Sequence, residues 1–141
     1  MTAYVDSSVL VAALVVDESA HVASLRLLRD KELVTWSHAL AEVYSTLTGG
    51  RLGMRVSVAM TIKLIDEALL PRVKLIELSG ADMQSALHDT EYAGVRGGGI
   101  FDFLHYRVAC KAGAKTIYTL NERHFMELIR ESSDPRVEQP R

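Results

Sequence analysis

Thr2-Ala3-Tyr4-Val5-Asp6-Ser7-Ser8 is a short apolar run that ends at an acid and is followed by two hydroxyls. Ala3 to Val5 read as a buried strand. Asp6 then stands at the strand's carboxyl end, where the chain leaves the sheet. Ser7 or Ser8 is placed to N-cap the next apolar run, Val9 to Val16, which reads as a helix because a second strand would first need a turn. In open parallel α/β sheets, ligands bind beyond the carboxyl ends of the strands. Asp6 is therefore either a cap or part of a site, and what matters next is which other groups the chain brings to that end.

Asp17-Glu18-Ser19 breaks the apolar run. Ser19 or Asp17 is expected to cap a helix over 20–30 with Val22, Leu25, Leu28 and Leu27 on its apolar face, and His21 on its surface. Leu33 to Trp36 form a second strand. Ser37 follows as a cap, and a helix runs to Leu47 with Leu40, Val43, Tyr44 and Leu47 on one face, before Gly49-Gly50 stops it. Glu42 falls beside that stripe, about 100° from Val43. A helix over 55–70, with Val58, Ile62, Ile65 and Leu69 at helical spacing, pairs with the preceding one as a hairpin, and Pro71 closes it.

The alternation over 73–78 predicts a further strand. Ser79 and Asp82 have the spacing of a capping box for a helix over 81–92, with Met83, Leu87 and Tyr92 inward. The stretch Gly94-Val95-Arg96-Gly97-Gly98-Gly99 lacks a following Lys-Ser or Lys-Thr pair and a preceding strand, so it is no P-loop. The next helix, ending at Ala112, is expected to pack Leu104, Val108, Phe101 and Cys110. Asp102 sits at its start, in the place of an N-cap, and His105 lies one turn on as a partly buried helix histidine. After Gly113 come a strand over 115–120, a short helix carrying Phe125, Leu128 and Ile129, and a small edge strand at 136–138.

Of the 141 residues, 48% are hydrophobic and 24% charged, which fits one folded domain spanning 1–141. With 16 basic and 18 acidic residues the net charge is −2. That balance argues against a protein that coats nucleic acid, but not against an enzyme acting on it. The single cysteine, Cys110, excludes an internal disulfide and is expected to be a small buried hydrophobe. A cytoplasmic location is expected: no apolar run approaches the roughly 20 residues of a membrane span, and no secretory leader is visible.

The acids gain meaning together. Asp6 ends a strand, Glu42 is near the start of the helix after the second strand, and Asp102 opens the helix leading into the strand at 115–120, whose carboxyl end carries Thr119 and Asn121. In a parallel sheet all of these fall on one edge. Three converging carboxylates call for basic side chains or a divalent cation. Oxygen donors, without Cys or His at zinc spacing, point to Mg²⁺ or Mn²⁺.

Val5-Asp6-Ser7-Ser8, Glu42 in an early helix, Asp102-Phe103 after a Gly-rich loop and Thr119-Leu120-Asn121-Glu122-Arg123-His124-Phe125 together resemble a PIN domain, and within that group the VapC-type toxins of bacterial toxin–antitoxin pairs. The resemblance covers nearly the whole chain. It implies a three-layer α/β fold with a mostly parallel sheet of four to five strands and helices on both faces. It further implies a ribonuclease in which Asp6, Glu42 and Asp102 bind Mg²⁺ or Mn²⁺ and hydrolyse RNA phosphodiester bonds, with Ser7 and Thr119 lining the site. Such toxins frequently have a further acid after the last strand's threonine. Here Asn121 stands near that place, uncharged, with Glu122 beside it. The resemblance also implies a homodimer, a cognate antitoxin and no membrane association, with the hairpin over 40–70 as the antitoxin's clamp. Two other readings share these residues: a PIN-like nuclease of RNA processing without an antitoxin, and a catalytically impaired nucleic-acid-binding module. A receiver domain is excluded, because Asp6 has no acidic neighbour and no Asp ends the strand at 73–78.

Overall fold

The computed structural model describes residues 2–141. Its frame is five short strands, β1 (Ala3–Val5), β2 (Leu33–Trp36), β3 (Val73–Ile76), β4 (Thr116–Tyr118) and β5 (Arg136–Glu138), in the order β3-β2-β1-β4-β5. Every pairing is parallel, with Ala3 opposite Leu33 on one side and Thr116 on the other. All three residues of β1 and all four of β2 are buried, as expected for strands covered on both faces.

The two-residue period sorts the sheet into two cores. Ala3, Val5, Leu33 and Val73 face α1 (Ser7–Leu14), α2 (His21–Asp30), α3 (His38–Thr48) and α4 (Val58–Leu64). Tyr4, Val34, Trp36 and Ile117 face α5 (Gly80–Ala93), α6 (Gly99–Lys111) and α7 (Glu122–Met126). The result is the three-layer α/β architecture with helices on both faces. The chain builds outward from β1 through β2 to β3, then crosses back to add β4 and β5 on the other side. Strand order therefore reverses at β1, and the crevice beyond the carboxyl ends of β1 and β4 is the switch point where such sheets bind ligands.

The helices depart from their expected faces where two apolar rows compete. Helix α4 starts at Val58 behind a Ser57 cap and continues as a π-helical turn, Ile65–Leu69, closed by the bond from Leu70 N–H to Ile65 C=O. Docking on α3 buries the row Thr61, Ile65 and Leu69, leaving Val58 and Ile62 about half exposed. On α2 the buried residues are Ser24, Leu27 and Leu28, while Val22 and Leu25 face out. Helix α5 docks on α6 through Ala86, so Leu87 and Tyr92 are exposed. Tyr44 on α3 and Phe101 on α6 are exposed as well, and Cys110 lies on the surface rather than in the core.

The caps also need correction. Asp6 itself, not Ser7 or Ser8, caps α1, because its extended backbone aims the carboxylate at the amides of Ser8 and Val9. Ala20 precedes α2 with no side-chain cap, Ser37 precedes α3 without capping it, and Gly98 rather than Asp102 occupies the N-cap of α6. The capping box of Ser79 and Asp82 forms as expected. Among the described residues no helix is long and apolar enough to cross a membrane.

Candidate active site

Asp6 is anchored where β1 ends and α1 begins, and it is only 3% exposed. Its Oδ1 accepts hydrogen bonds from Ser8 Oγ at 2.6 Å and from the amides of Ser8 and Val9 at 3.1 and 3.4 Å. Its Oδ2 accepts from Thr119 Oγ1 at 2.6 Å. The two donors are themselves tied to the loop after β4: Asn121 N–H donates to Thr119 Oγ1 and Leu120 N–H to Ser8 Oγ. Asp6 N–H bonds Tyr118 C=O, so the carboxyl ends of β1 and β4 are stapled around one carboxylate. Burial pushes the Asp6 carboxyl above its ordinary pKa; the nearby His105 ring and the bonds from Ser8 and Thr119 offset this in part. Every direct partner of this buried acid is a neutral donor.

Glu42 sits one turn into α3 and is held by a polar chain through the core. Trp36 N–H donates to the Tyr4 hydroxyl at 3.2 Å. The Tyr4 oxygen lies 2.5 Å from His105 Nδ1, and His105 Nε2 lies 2.6 Å from Glu42 Oε1. Because the Tyr4 oxygen already accepts, its own proton goes to Nδ1. The ring proton then belongs on Nε2, facing Glu42. With the ring proton on Nε2 all four groups are satisfied, and Tyr4 and His105 are both fully buried. Burial pushes the Glu42 carboxyl up, but the hydrogen bond from His105, helped by His38, outweighs it and holds the group below the usual range. His38 Nδ1 lies 3.5 Å from Glu42 Oε1 yet makes no hydrogen bond.

Asp102, in the first turn of α6, lies with Oδ2 3.2 Å from Nδ1 of the exposed His124 on α7. Ser7 lines two adjoining grooves. One contains His38, Glu42, Thr46, Arg51 and Phe101; the other contains Ser8, Thr46, Leu120 and Asn121. A third cleft holds Asp102 and His124 beside the Gly-rich turn.

Of the residues singled out by sequence, Asp6, Thr119 and the Asn121 backbone form one bonded cluster, with Ser7 and the Asn121 side chain at its open edge. Glu42 and Asp102 are turned onto histidines instead. Among the described residues no three His, Cys, Asp or Glu side chains form a group able to hold a metal. The donor set nevertheless has the chemistry of a hard-cation site: carboxylate and hydroxyl oxygens, with Asp6 Oδ2 engaged by a single hydrogen bond and so keeping a free lone pair.

Tyr4, Ser8, His38 and His124 are contributors that the sequence reading missed, and His105 proves wholly buried rather than partly so. Tyr4 carried a signal in being a polar ring in mid-strand, on the face opposite Val5. His105 carried one in falling a single turn after Asp102.

The molecule has known relatives in shape. Its fold matches the Mycobacterium tuberculosis toxin VapC20, described as cleaving the sarcin–ricin loop, with a TM-score of 0.71 and 19% identity over 92% of this chain and 99% of that one. VapBC2 of Rickettsia felis, bound to a DNA fragment from its promoter, matches with a TM-score of 0.68 and 18% identity over 100% of both chains. VapBC-1 of nontypeable Haemophilus influenzae gives 0.64 and 16% identity over 99% of this chain and 98% of that one. No curated protein sequence matches. The PIN domain family model matches residues 3–129, nearly the whole chain, and includes every residue of the site. The chain belongs to the PIN domain family.

Proposed function

We propose that this protein is a metal-dependent endoribonuclease, the toxin of a toxin–antitoxin pair, with Asp6, Glu42 and Asp102 holding Mg²⁺ or Mn²⁺. The observation that carries the reading is Asp6: a buried carboxylate at the switch point of a PIN fold, pinned by four hydrogen bonds and, among the described residues, contacted by no cationic side chain. An anion fixed in that way is costly unless a cation completes it.

When bound, the cation supplies an activated water and neutralises the charge developing on the phosphate. The chain's own residues do the rest. Ser8 and Thr119 fix the Asp6 oxygens. His105 holds Glu42 in its low-pKa, ionised form at the neighbouring groove. Glu42 and Asp102 would complete the oxygen ligand set with Asp6. Ser7 and Asn121 border the groove that admits the RNA backbone. An antitoxin partner is supported by the VapBC neighbours, and a homodimer belongs to the same reading. The clamp is the α3–α4 hairpin, where Tyr44, Met54, Val58 and Ile62 are exposed. One observation favours a second reading, a catalytically impaired module: Glu42 and Asp102 are paired with histidines and not grouped with Asp6.

The test is cleavage of a mixed RNA pool in Mg²⁺, Mn²⁺ or EDTA by the intact protein and by Asp6→Asn. Metal-dependent cleavage that Asp6→Asn abolishes is the expected result. Cleavage that survives both EDTA and the substitution would refute the metal mechanism. Folded protein inert in either metal would favour the impaired module.

A further inference from the structure

The geometry points to a nucleobase-binding subsite beside Glu42, in which one unpaired base of single-stranded RNA stacks on Phe101 while Arg51 takes the adjoining phosphate. This assignment rests on the nuclease reading above and gives its substrate a handhold. Three rings form a ladder that rises from the core to the surface. Trp36 and His38 stack with centroids 4.5 Å apart and planes at 25°; His38 and Phe101 follow at 5.7 Å and 13°. The foot is rigid, since Trp36 is 5% exposed and packs edge-on against His105. His38 Nδ1 makes no hydrogen bond, so stacking, rather than polar contact at that atom, sets the ring's place.

The top rung is open. Phe101 is 46% exposed although His38 stacks against it, and it lines an open groove. A lone exposed phenylalanine would be unremarkable. This one stacks nearly parallel on a second ring, directly precedes Asp102, and lines the same groove as Glu42 and Arg51. Ser7, Ser45 and Thr46 in that groove offer hydroxyls to a base edge.

The chemistry selects the ligand. A flat, parallel-stacked platform accepts any base through its π-face, but only one that has left its own helical stack, which is how single-stranded RNA is bound. The net charge of −2 leaves little general attraction for a polyanion, so a stacking contact with one guanidinium beside it is what retains the strand.

The experiment measures the anisotropy of a labelled short single-stranded RNA on the Asp6→Asn protein, which binds without cutting, alone and with Phe101→Ala or Phe101→Tyr added. Phe101→Ala is expected to raise Kd roughly 5- to 100-fold, the value of one base–aromatic stack, while Phe101→Tyr leaves it close to the parent. An abasic position in the RNA should weaken the parent similarly and add little to Phe101→Ala. Trp36, the only tryptophan, lies two rings below and should change its fluorescence as the strand binds. A Kd unchanged by Phe101→Ala, or an abasic loss that adds fully to it, overturns the subsite. If the intact protein cleaves RNA while Phe101→Ala leaves both Kd and kcat/KM untouched, the subsite alone falls. If the intact protein neither cleaves nor binds, the nuclease reading falls with it.

Discussion

The chain Trp36–Tyr4–His105–Glu42 makes a quantitative prediction for a double-mutant cycle. Tyr4→Phe removes the hydroxyl that accepts from Trp36 N–H and donates to His105 Nδ1, leaving both without partners inside the core. His105→Leu, of similar bulk, strands the Tyr4 hydroxyl and releases Glu42. Each orphaned buried group costs about 1–3 kcal/mol, so each single variant should lose about 2–4 kcal/mol. In the double variant the shared bond has lost both ends, and only Trp36 N–H remains orphaned. It should therefore be more stable than the sum of the singles predicts, by about 2–3 kcal/mol. Urea unfolding of the four proteins at constant m reads this directly. Additivity within about 0.5 kcal/mol would refute the bonded chain. Glu42→Gln is a second check on the proton's position. An amide oxygen still accepts from Nε2–H, so a change within about 0.5 kcal/mol marks a hydrogen bond that does not need the charge, whereas a loss of several marks a buried ion pair.

Two further perturbations follow from the buried and exposed acids. The folded pKa of Asp6 is raised, so between its unfolded and folded values the folded state binds more protons and stability falls as pH rises. Asp6→Asn keeps the Oδ1 cap and removes the charge, so its stability relative to the parent should improve as urea melts are taken from about pH 4 to about pH 8. A gap that stays constant or shrinks would count against a desolvated anion. Glu42 has the opposite sign: its folded pKa is lowered, and its contribution fades only as pH falls below the ordinary carboxylate range. Beyond the edge strand β3, Ser79→Ala should cost about 1 kcal/mol in thermal or urea melts by opening the cap of α5. Lys111 and the Ser79 bonds hold the Asp82 carboxyl down to about 2, so the loss should be the same at pH 4 and pH 7.

The sheet was legible because its strands are short apolar runs bounded by acids, hydroxyls and glycines, and the position of Asp6 follows from counting to the end of the first. Helix existence was legible too, but not which row of each helix docks. Val22, Leu25, Val58, Ile62, Leu87 and Tyr92 belong to apolar rows that a sequence cannot distinguish from the buried ones, because the choice is made by the partner helix. The groups that hold the acids were the least legible. Tyr4 meets His105 across 101 residues and His105 meets Glu42 across 63. Nothing local to any of them marks such a pairing; it appears only when the strand period sends Tyr4 to the α6 face and the α6 row sends His105 to meet it.

The strand order has a consequence for synthesis. The central strand is made first, but its second neighbour is β4, which arrives more than a hundred residues later. A nascent chain ending before residue 116 can assemble β1, β2 and β3 with α1 to α4, and so can already display Asp6 and Glu42. It lacks Thr119, whose hydroxyl fixes one oxygen of Asp6, and the amide of Leu120 that fixes Ser8. The site is completed only when β4 and the loop after it dock on β1. The half-sheet leaves one edge of β1 unpaired, and its central carboxylate keeps only the Oδ1 bonds from Ser8 and Val9. Order at the central carboxylate is thereby tied to the closing of the sheet across more than a hundred residues, so the site forms with the long-range β1–β4 pairing and not with the local hairpins of helix and strand that precede it.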